Sequence, residues 1–169
     1  MVNLNGTRAS AALGELSHFD EAGAARMVDV GQKEPTPRYA RASARVRMHP
    51  HTLQRIREGS AEKGDVLQVA RLAGIQGAKS TAQLIPLCHP LGLDAVTVDF
   101  RFDGEDAIDI SAAASVTART GVEMEALTAA STAALTIYDM CKSMDREIVI
   151  EQIQLDEKRG GKSGHFRRA

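Results

Sequence analysis

Two alternating apolar runs, separated by a tight-turn signal, restrict the fold of this chain more than any other feature. Residues 96–102 and residues 108–116 each place apolar side chains at every second position. Such alternation is typical of strands with one buried face. The Asp103-Gly104 step between them favours a hairpin. The chain must therefore supply other elements that cover the apolar face of this antiparallel pair.

A strand and several helices, including a short one in residues 51–59, are predicted before the hairpin. Residues 39–48 alternate Ala, Val and Met with Tyr, Arg and Ser, which indicates a half-buried strand. Residues 65–79 follow helical spacing, with Asp65 as the N-cap, although Gly74 and Gly77 weaken this helix.

A long helix and a last strand are predicted after the hairpin. Thr120 and Glu123 match a capping box, and the apolar helix behind them runs to about Met144. Residues 146–156 form a strand whose apolar parity shifts, which indicates a bulge. The order strand, helices, strand, strand, helix, strand predicts an α+β, ferredoxin-like sandwich, with a four-stranded antiparallel sheet and helices on one face.

Length and composition favour a single folded domain. The 169 residues can bury a core without disulfide bonds, and the two cysteines form no C-x-x-C pair. Residues 1–25 are predicted to be a flexible arm, residues 26–157 a single ferredoxin-like domain, and residues 158–169 a mobile tail rich in glycine and lysine. The tail fails as a phosphate loop, since Asp156 stands where its first glycine is required.

Charge and hydropathy exclude several classes of partner. A net charge of −1, no Trp and 4% aromatic residues argue against nucleic-acid binding. No apolar run approaches the roughly 20 residues that cross a bilayer, and no leader pattern is visible. We expect no membrane partner and a reducing, cytoplasmic location.

The long helix is apolar over about half of its circumference, more than one sheet needs. We expect either this helix or the open face of the sheet to be buried by another subunit. The row Arg41, Arg45 and Arg47 is either a solvated strand face or part of an interface or anion site.

Asp139 and Lys142 lie three residues apart on the long helix and so share a side of it. They can form an ordinary surface ion pair, worth a few tenths of a kcal/mol, or act as an acid and a base. Glu125 on the same helix lies on its polar arc and could face water.

Pro86 and Pro90 hold Cys88 and His89 in a rigid corner before a strand. His89 can be a structural histidine, a proton donor or a phosphate ligand, since histidine is the residue type most often used for proton transfer near neutral pH. A metal site is the third choice, since zinc-site spacing is absent among the soft ligands His49, His51, Cys88 and His89.

Lysines near the C-terminus and before a helix start suggest an anion site. Lys158 and Lys162 belong to the glycine-hinged tail, which either is a soluble end or folds over a polyphosphate. Lys63 precedes the helix predicted from Asp65, where the helix N-terminus favours the same negative charge.

Seven segments taken in order closely resemble the cyclic pyranopterin monophosphate synthase family of molybdenum cofactor biosynthesis. The resemblance runs from about Ser17 to Phe166 and implies a ferredoxin-like fold, a homohexamer built as a trimer of dimers, and active sites at the dimer interface. The segments are MVDV (27–30), KGDV (63–66), ARLAGIQGAK (70–79), LIPLCHPL (84–91), TGVEMEALTAAS (120–131), ALTIYDMCK (134–142) and GGKSG (160–164).

The resemblance also implies an activity and a set of site residues. Members of the family are lyases that convert (8S)-3′,8-cyclo-7,8-dihydroguanosine 5′-triphosphate into cyclic pyranopterin monophosphate and diphosphate. No resident cofactor or metal is implied, and Mg²⁺ can accompany the triphosphate. By matched position, Asp139 and Lys142 are the acid and base, with Lys63 and His89 as further catalytic groups; the substrate-contact residues are Leu87, Cys88, His89, Glu123, Met124, Glu125, Lys158 and Lys162.

Two departures from the family pattern are visible. Arg159 replaces a small residue before the glycine pair, and the first dozen residues extend past the usual start.

Two other classes of function stay open on the residues alone. One is a non-catalytic ferredoxin-like module that binds a nucleotide or a partner, and the other is a metal-dependent hydrolase.

Overall fold

A computed structural model describes residues 23–61 and 64–169. Most of the predicted N-terminal arm, together with Lys63, lies outside the described residues. The elements are β1 Thr36–Arg47, α1 Pro50–Arg57, α2 Val66–Lys79, α3 Thr81–Leu84, β2 Ala95–Asp103, β3 Ala107–Ala118, α4 Glu123–Cys141, β4 Val149–Arg159 and β5 Phe166–Arg167.

The strands form one sheet in the order β2-β3-β1-β4-β5, and every neighbouring pair is antiparallel. The predicted α+β class and antiparallel sheet are confirmed. The predicted count of four strands is wrong by one, because β5 contributes only two residues. A strand of that length shows no period in sequence, so only its pairing with β4 reveals it.

Helices α2 and α4 lie over one face of the sheet. Along β1, Ala40, Ala42, Ala44 and Val46 are buried, whereas the alternate residues Arg41, Ser43 and Arg45 are partly exposed. Helix α4 packs on β1, β3 and β4, and α2 packs on α4 and β2. The core therefore lies between the sheet and this pair of helices.

The arginine row of β1 lies on the opposite face and is neutralised by acids of neighbouring strands. Arg45 contacts Asp103 at 2.8 Å and Asp109 at 2.7 Å. Arg47 contacts Asp106 and Glu151, both at 2.6 Å. Of the two sequence-based readings, this geometry favours a paired strand face over an anion site, because the guanidinium groups already have carboxylate partners.

Small residues let α2 approach α4 closely. A Cβ on Gly74 would lie 3.0 Å from the carbonyl oxygen of Ala129, and one on Gly77 would overlap Oγ1 of Thr132. The two glycines lower the intrinsic helix propensity of α2. Here they provide the space that the contact between the two helices requires.

The structure confirms two of the local sequence signals and contradicts a third. The Asp65 cap is confirmed, because its carboxylate accepts from the backbone N–H groups of Leu67 and Gln68. The bulge in β4 is also confirmed, at Glu151, which has no partner residue on β1. The capping box at Thr120 is wrong: α4 begins at Glu123 and its cap residue makes no side-chain bond.

A buried carboxylate joins the end of α4 to the start of α1. Asp145 accepts hydrogen bonds from the backbone N–H of His49 at 2.9 Å, from Thr52 Oγ1 at 3.2 Å and from the backbone N–H of Glu147 at 2.9 Å. Burial alone would raise the pKa of Asp145, but these bonds hold it below its usual range. These three hydrogen bonds fix the position of Asp145, which follows Lys142 by three residues.

None of the helices in the described residues combines the length and the hydropathy needed to span a bilayer.

Replacing Gly77 by Ala should destabilise the fold although Ala is the better helix former. The new methyl group would lie 2.9 Å from Cβ of Thr132 and overlap its hydroxyl, so we expect a loss of about 1–3 kcal/mol in the free energy of unfolding. Urea denaturation measures this. Combining the change with Thr132→Ala should recover part of the loss. A single variant as stable as the wild type would contradict the packing.

Replacing Asp145 by Asn should lower the free energy of unfolding by about 1–3 kcal/mol at pH 7, since an amide cannot accept all three bonds. The pKa of Asp145 is depressed in the folded state, so its stabilising effect is present above its unfolded pKa and is lost as pH falls through the folded value. The difference between wild type and variant should therefore shrink as the pH falls below the ordinary aspartate pKa of about 3.9. Urea titrations across this range test it, with exposed Glu147→Gln as the control; a constant difference would refute it.

Candidate active site

A cavity of about 310 Å³ opens where three parts of the chain meet. These are the segment before β1, the proline-bracketed corner before β2, and the start of α4. Its lining residues are Val28, Val30, Lys33, Leu87, Cys88, His89, Leu91, Thr120, Gly121, Glu123, Met124 and Glu125. The structure thus brings together Leu87, Cys88, His89, Glu123, Met124 and Glu125, the substrate-contact residues expected from the resemblance apart from the two tail lysines.

The corner between Pro86 and Pro90 presents Cys88 and His89 to this cavity. Neither residue belongs to a helix or strand, and both are partly buried. The backbone N–H of Cys88 donates to the carbonyl of Ile85 at 3.1 Å, which closes a turn at the start of the corner. The rigid turn holds an imidazole beside the carboxylates of α4.

Glu125 is the buried acid of the cavity. It is 4% exposed, so the expectation that it could face water is wrong. Burial raises the pKa of its carboxyl group, and the charge of Glu123 raises it further. Burial likewise raises the pKa of the Cys88 thiol, with a smaller contribution from Glu125. The cavity therefore favours protonated acids or a cationic ligand group.

Glu123 connects the cavity to the C-terminal segment. Its carboxylate lies 3.5 Å from Nζ of Lys158, which also hydrogen-bonds to Ser163. A Cβ at Gly121 would overlap a carboxylate oxygen of Glu123. The absence of a side chain at Gly121 thus leaves room for this acid at the first turn of α4.

Lys162 lies beside a second cavity, of about 500 Å³. Lys33, Arg38 and Gly161 also line it, and Lys33 borders the first cavity as well. The two cavities are therefore neighbours, one lined by acids and the other by several cations. Both tail lysines lie at their edges.

Asp139 and Lys142 lie elsewhere. Their side chains pair at 2.7 Å and are 60% and 52% exposed. The hydrogen bond to Asp139 raises the pKa of Lys142, so the amine is charged at neutral pH. Asp139 follows Glu123 by 16 residues along α4, which corresponds to about 24 Å at 1.5 Å per residue. Within one chain, this pair does not reach the cavity.

Among the described residues, no group of three or more His, Cys, Asp or Glu side chains is arranged to hold a metal ion.

Sequence reasoning did not select Lys33 or Gly121. Gly121 belongs to a segment quoted for the resemblance, but the space it leaves for Glu123 depends on tertiary placement. Lys33 carries no motif or period, and only its position between the two cavities marks it. Val28 and Val30 belong to the quoted segment MVDV, so the signal for them was present in the sequence.

Comparison with known proteins adds independent information. The chain is 59% identical over 155 residues to cyclic pyranopterin monophosphate synthase 3 of Mycobacterium bovis, covering 92% of this chain and 88% of that protein. The Mycobacterium tuberculosis protein of the same name matches to the same extent. The cyclic pyranopterin monophosphate synthase of Novosphingobium aromaticivorans is 60% identical over 157 residues, which is 93% of this chain and 99% of that protein.

A solved structure of the full extracellular region of zebrafish Gpr126/Adgrg6 aligns with 86% of this chain and 17% of its own, at 12% identity and a TM-score of 0.30. That score is too low to bear on the fold. The model of the MoaC family matches residues 27–161, which contain the first cavity, the Asp139–Lys142 pair, Lys158 and most of the sheet. The chain therefore belongs to the MoaC family.

Proposed function

We propose that this protein is a cyclic pyranopterin monophosphate synthase of molybdenum cofactor biosynthesis, a lyase. It would convert (8S)-3′,8-cyclo-7,8-dihydroguanosine 5′-triphosphate into cyclic pyranopterin monophosphate with release of diphosphate. One observation carries the proposal: a single cavity gathers Leu87, Cys88 and His89 with Glu123, Met124 and Glu125. Relatives about 60% identical over most of the chain bear the name of this enzyme.

The residue types in the cavity suit the reaction. Rebuilding the ring system requires several proton transfers, for which His89 and Glu125, whose pKa is raised by burial, provide groups that line the same cavity. Diphosphate release places negative charge where fixed cations stabilise it. Lys158 and Lys162 at the cavity edges, and Lys63 by its position in the sequence, are the cations we assign to that role. Mg²⁺ bound to the triphosphate would add to them.

The acid–base pair must come from a second chain if it acts in the same site. Asp139 lies about 24 Å along α4 from Glu123, and Lys142 follows the end of the helix, so one chain cannot bring this pair and Glu123 to one reacting atom. We propose that each active site lies between two subunits, one providing the cavity and the other the pair. The exposure of Leu72 at 68% and Leu135 at 60% on the helical layer supports such burial by a neighbour.

The proposed assembly is a homohexamer built as a trimer of dimers. For the single chain, we propose the ferredoxin-like description, because the four long strands and two main helices follow its β-α-β-β-α-β order. In such an assembly the partner would desolvate Lys142. Desolvation lowers the pKa of an amine, whereas Asp139 raises it, and this opposition would let the pair exchange a proton. We further propose a cytoplasmic location.

Incubating purified protein with the cyclic dihydro-GTP precursor should release diphosphate and form a product that oxidises to a fluorescent pterin. Asp139→Asn and Lys142→Ala should each lower kcat at least about 100-fold, the usual contribution of a general acid or base. Arg101→Ala removes an exposed ion pair with Asp109 at a residue that does not line the cavity, and it serves as the matched control. Near-native rates in both variants would make the pair structural.

An inactive wild type that still binds the triphosphate tightly would instead support the non-catalytic binding module. Activity that survives thorough chelation would count against a metal-dependent hydrolase.

Mixing two inactive variants tests the shared site. If His89→Ala damages the cavity and Lys142→Ala the partner's contribution, co-assembly from equal amounts should restore about a quarter of wild-type activity, since about one site in four receives both intact halves. Turnover of the co-expressed variants measures this. Activity that stays at the level of the separate variants would place both residues in the same chain's site.

Native mass is the control for assembly. Six copies of the 18.1 kDa chain weigh about 109 kDa, and a monomer in solution would rule out the shared site.

A further inference from the structure

The C-terminal segment folds back on the end of β4, so that Lys158 lies on β4 and Lys162 lies in the turn that follows it. β5 pairs with β4 through Glu157 opposite Arg167 and Lys158 opposite Phe166. Between the strands, Gly160, Gly161 and Gly164 all have positive φ. Glycine adopts such backbone angles freely, but a turn that contains several glycines loses much conformational entropy when it is ordered.

Glu157 lies at the base of this turn and is 6% exposed. Its carboxylate accepts from Nε of Arg159 at 2.7 Å, lies 2.8 Å from Nε2 of His165, and lies 3.9 Å from Arg41 on β1. Three cationic or basic side chains thus converge on one acid. The bonds from Arg159 and His165 hold the pKa of Glu157 at about 2, so it is charged at every physiological pH.

The contact between Glu157 and His165 spans the turn. Glu157 belongs to β4, whereas His165 lies directly before β5, so their contact connects the outgoing and returning parts of the chain. The guanidinium group of Arg159 lies 4.8 Å from the centre of the Tyr39 ring and thereby connects the start of the turn to β1. This contact accounts for the arginine that departs from the small residue usual before the glycine pair.

Successive side chains on a strand point to opposite faces. Lys158 therefore points away from Glu157, towards Glu123 and the first cavity. Lys162, at the turn itself, borders the cation-lined cavity. The position of Lys162, and that of the Lys158 amine through its hydrogen bond to Ser163, depends on a turn whose own backbone is intrinsically flexible.

We propose that Glu157 is a positioning residue, which holds His165 and Arg159 so that the glycine-rich turn presents Lys158 and Lys162 to the polyphosphate of the substrate. This inference rests on the proposed function, because it takes a triphosphate as the ligand. Glu157 acts through its neighbours and contacts no substrate. Its ion pairs resist reorganisation because the group is buried and charge-assisted.

Binding of inorganic diphosphate, measured by calorimetry, separates positioning from simple electrostatics. Glu157→Gln removes a negative charge near the lysines, so electrostatics alone would tighten diphosphate binding. Loss of positioning should weaken it about tenfold, as expected when a charged hydrogen bond that orders the turn is lost. Glu151→Gln, on the same strand but paired with Arg47, is the matched control and should bind like the wild type.

Two further measurements complete the experiment. In Glu157→Gln, the backbone N–H groups of β5 should exchange with solvent about tenfold faster while those of β1 do not change. In turnover assays, KM should rise about tenfold with kcat altered less than about twofold, because a group that acts only on binding leaves the chemical step intact. The variant His165→Asn, which changes a half-exposed side chain, should show the same faster exchange in β5 and the same rise in KM. It keeps the test valid if Glu157→Gln does not fold.

Tighter or unchanged diphosphate binding in both variants would overturn the inference, as would a wild type that binds no diphosphate. A wild type without turnover but with weaker diphosphate binding in the variants would refute the proposed enzyme and leave the positioning role standing.

Discussion

The close contact between α2 and α4 determines where everything else in this molecule can lie. Because Gly74 and Gly77 have no side chains, the backbone of α2 lies close to α4. Fully buried alanines such as Ala129 and Ala133 likewise let α4 lie close to its neighbours. Close packing of small residues leaves little freedom for sliding or rotation. The direction of α4 is therefore constrained, and with it the location of both of its ends.

The two ends of α4 have contrasting electrostatic surroundings. At its start, Glu123 and Glu125 line a cavity, and burial there raises the pKa of Glu125. At its other end, Asp139 and Lys142 neutralise each other in contact with solvent. A helix of 19 residues is too long for these groups to meet in one chain. Its length is thus the physical reason to look for a second subunit at the site.

Local patterns allowed much of the fold to be predicted. The hairpin around Gly104, the cap at Asp65 and the bulge at Glu151 each depend on neighbours in sequence, and the structure has all three. The capping box at Thr120 matched its pattern equally well and is absent. Its Glu123 carboxylate lies close to Lys158 instead. The carboxylate pairs with a residue that is distant in sequence, and a local sequence pattern contains no information about such a partner.

By itself, the sequence determined the α+β class, the order of the main elements and, through the family it resembles, six of the twelve residues that line the cavity. These follow from hydrophobic periodicity and short motifs, which act over a few residues. Only the tertiary structure decided that Glu125 is buried, that Lys33 lies between two cavities, and that Glu157 gathers Arg159 and His165. Those properties depend on which distant parts of the chain exclude water from a given atom or bring charge to it. Residue spacing in the sequence does not reveal these long-range contacts.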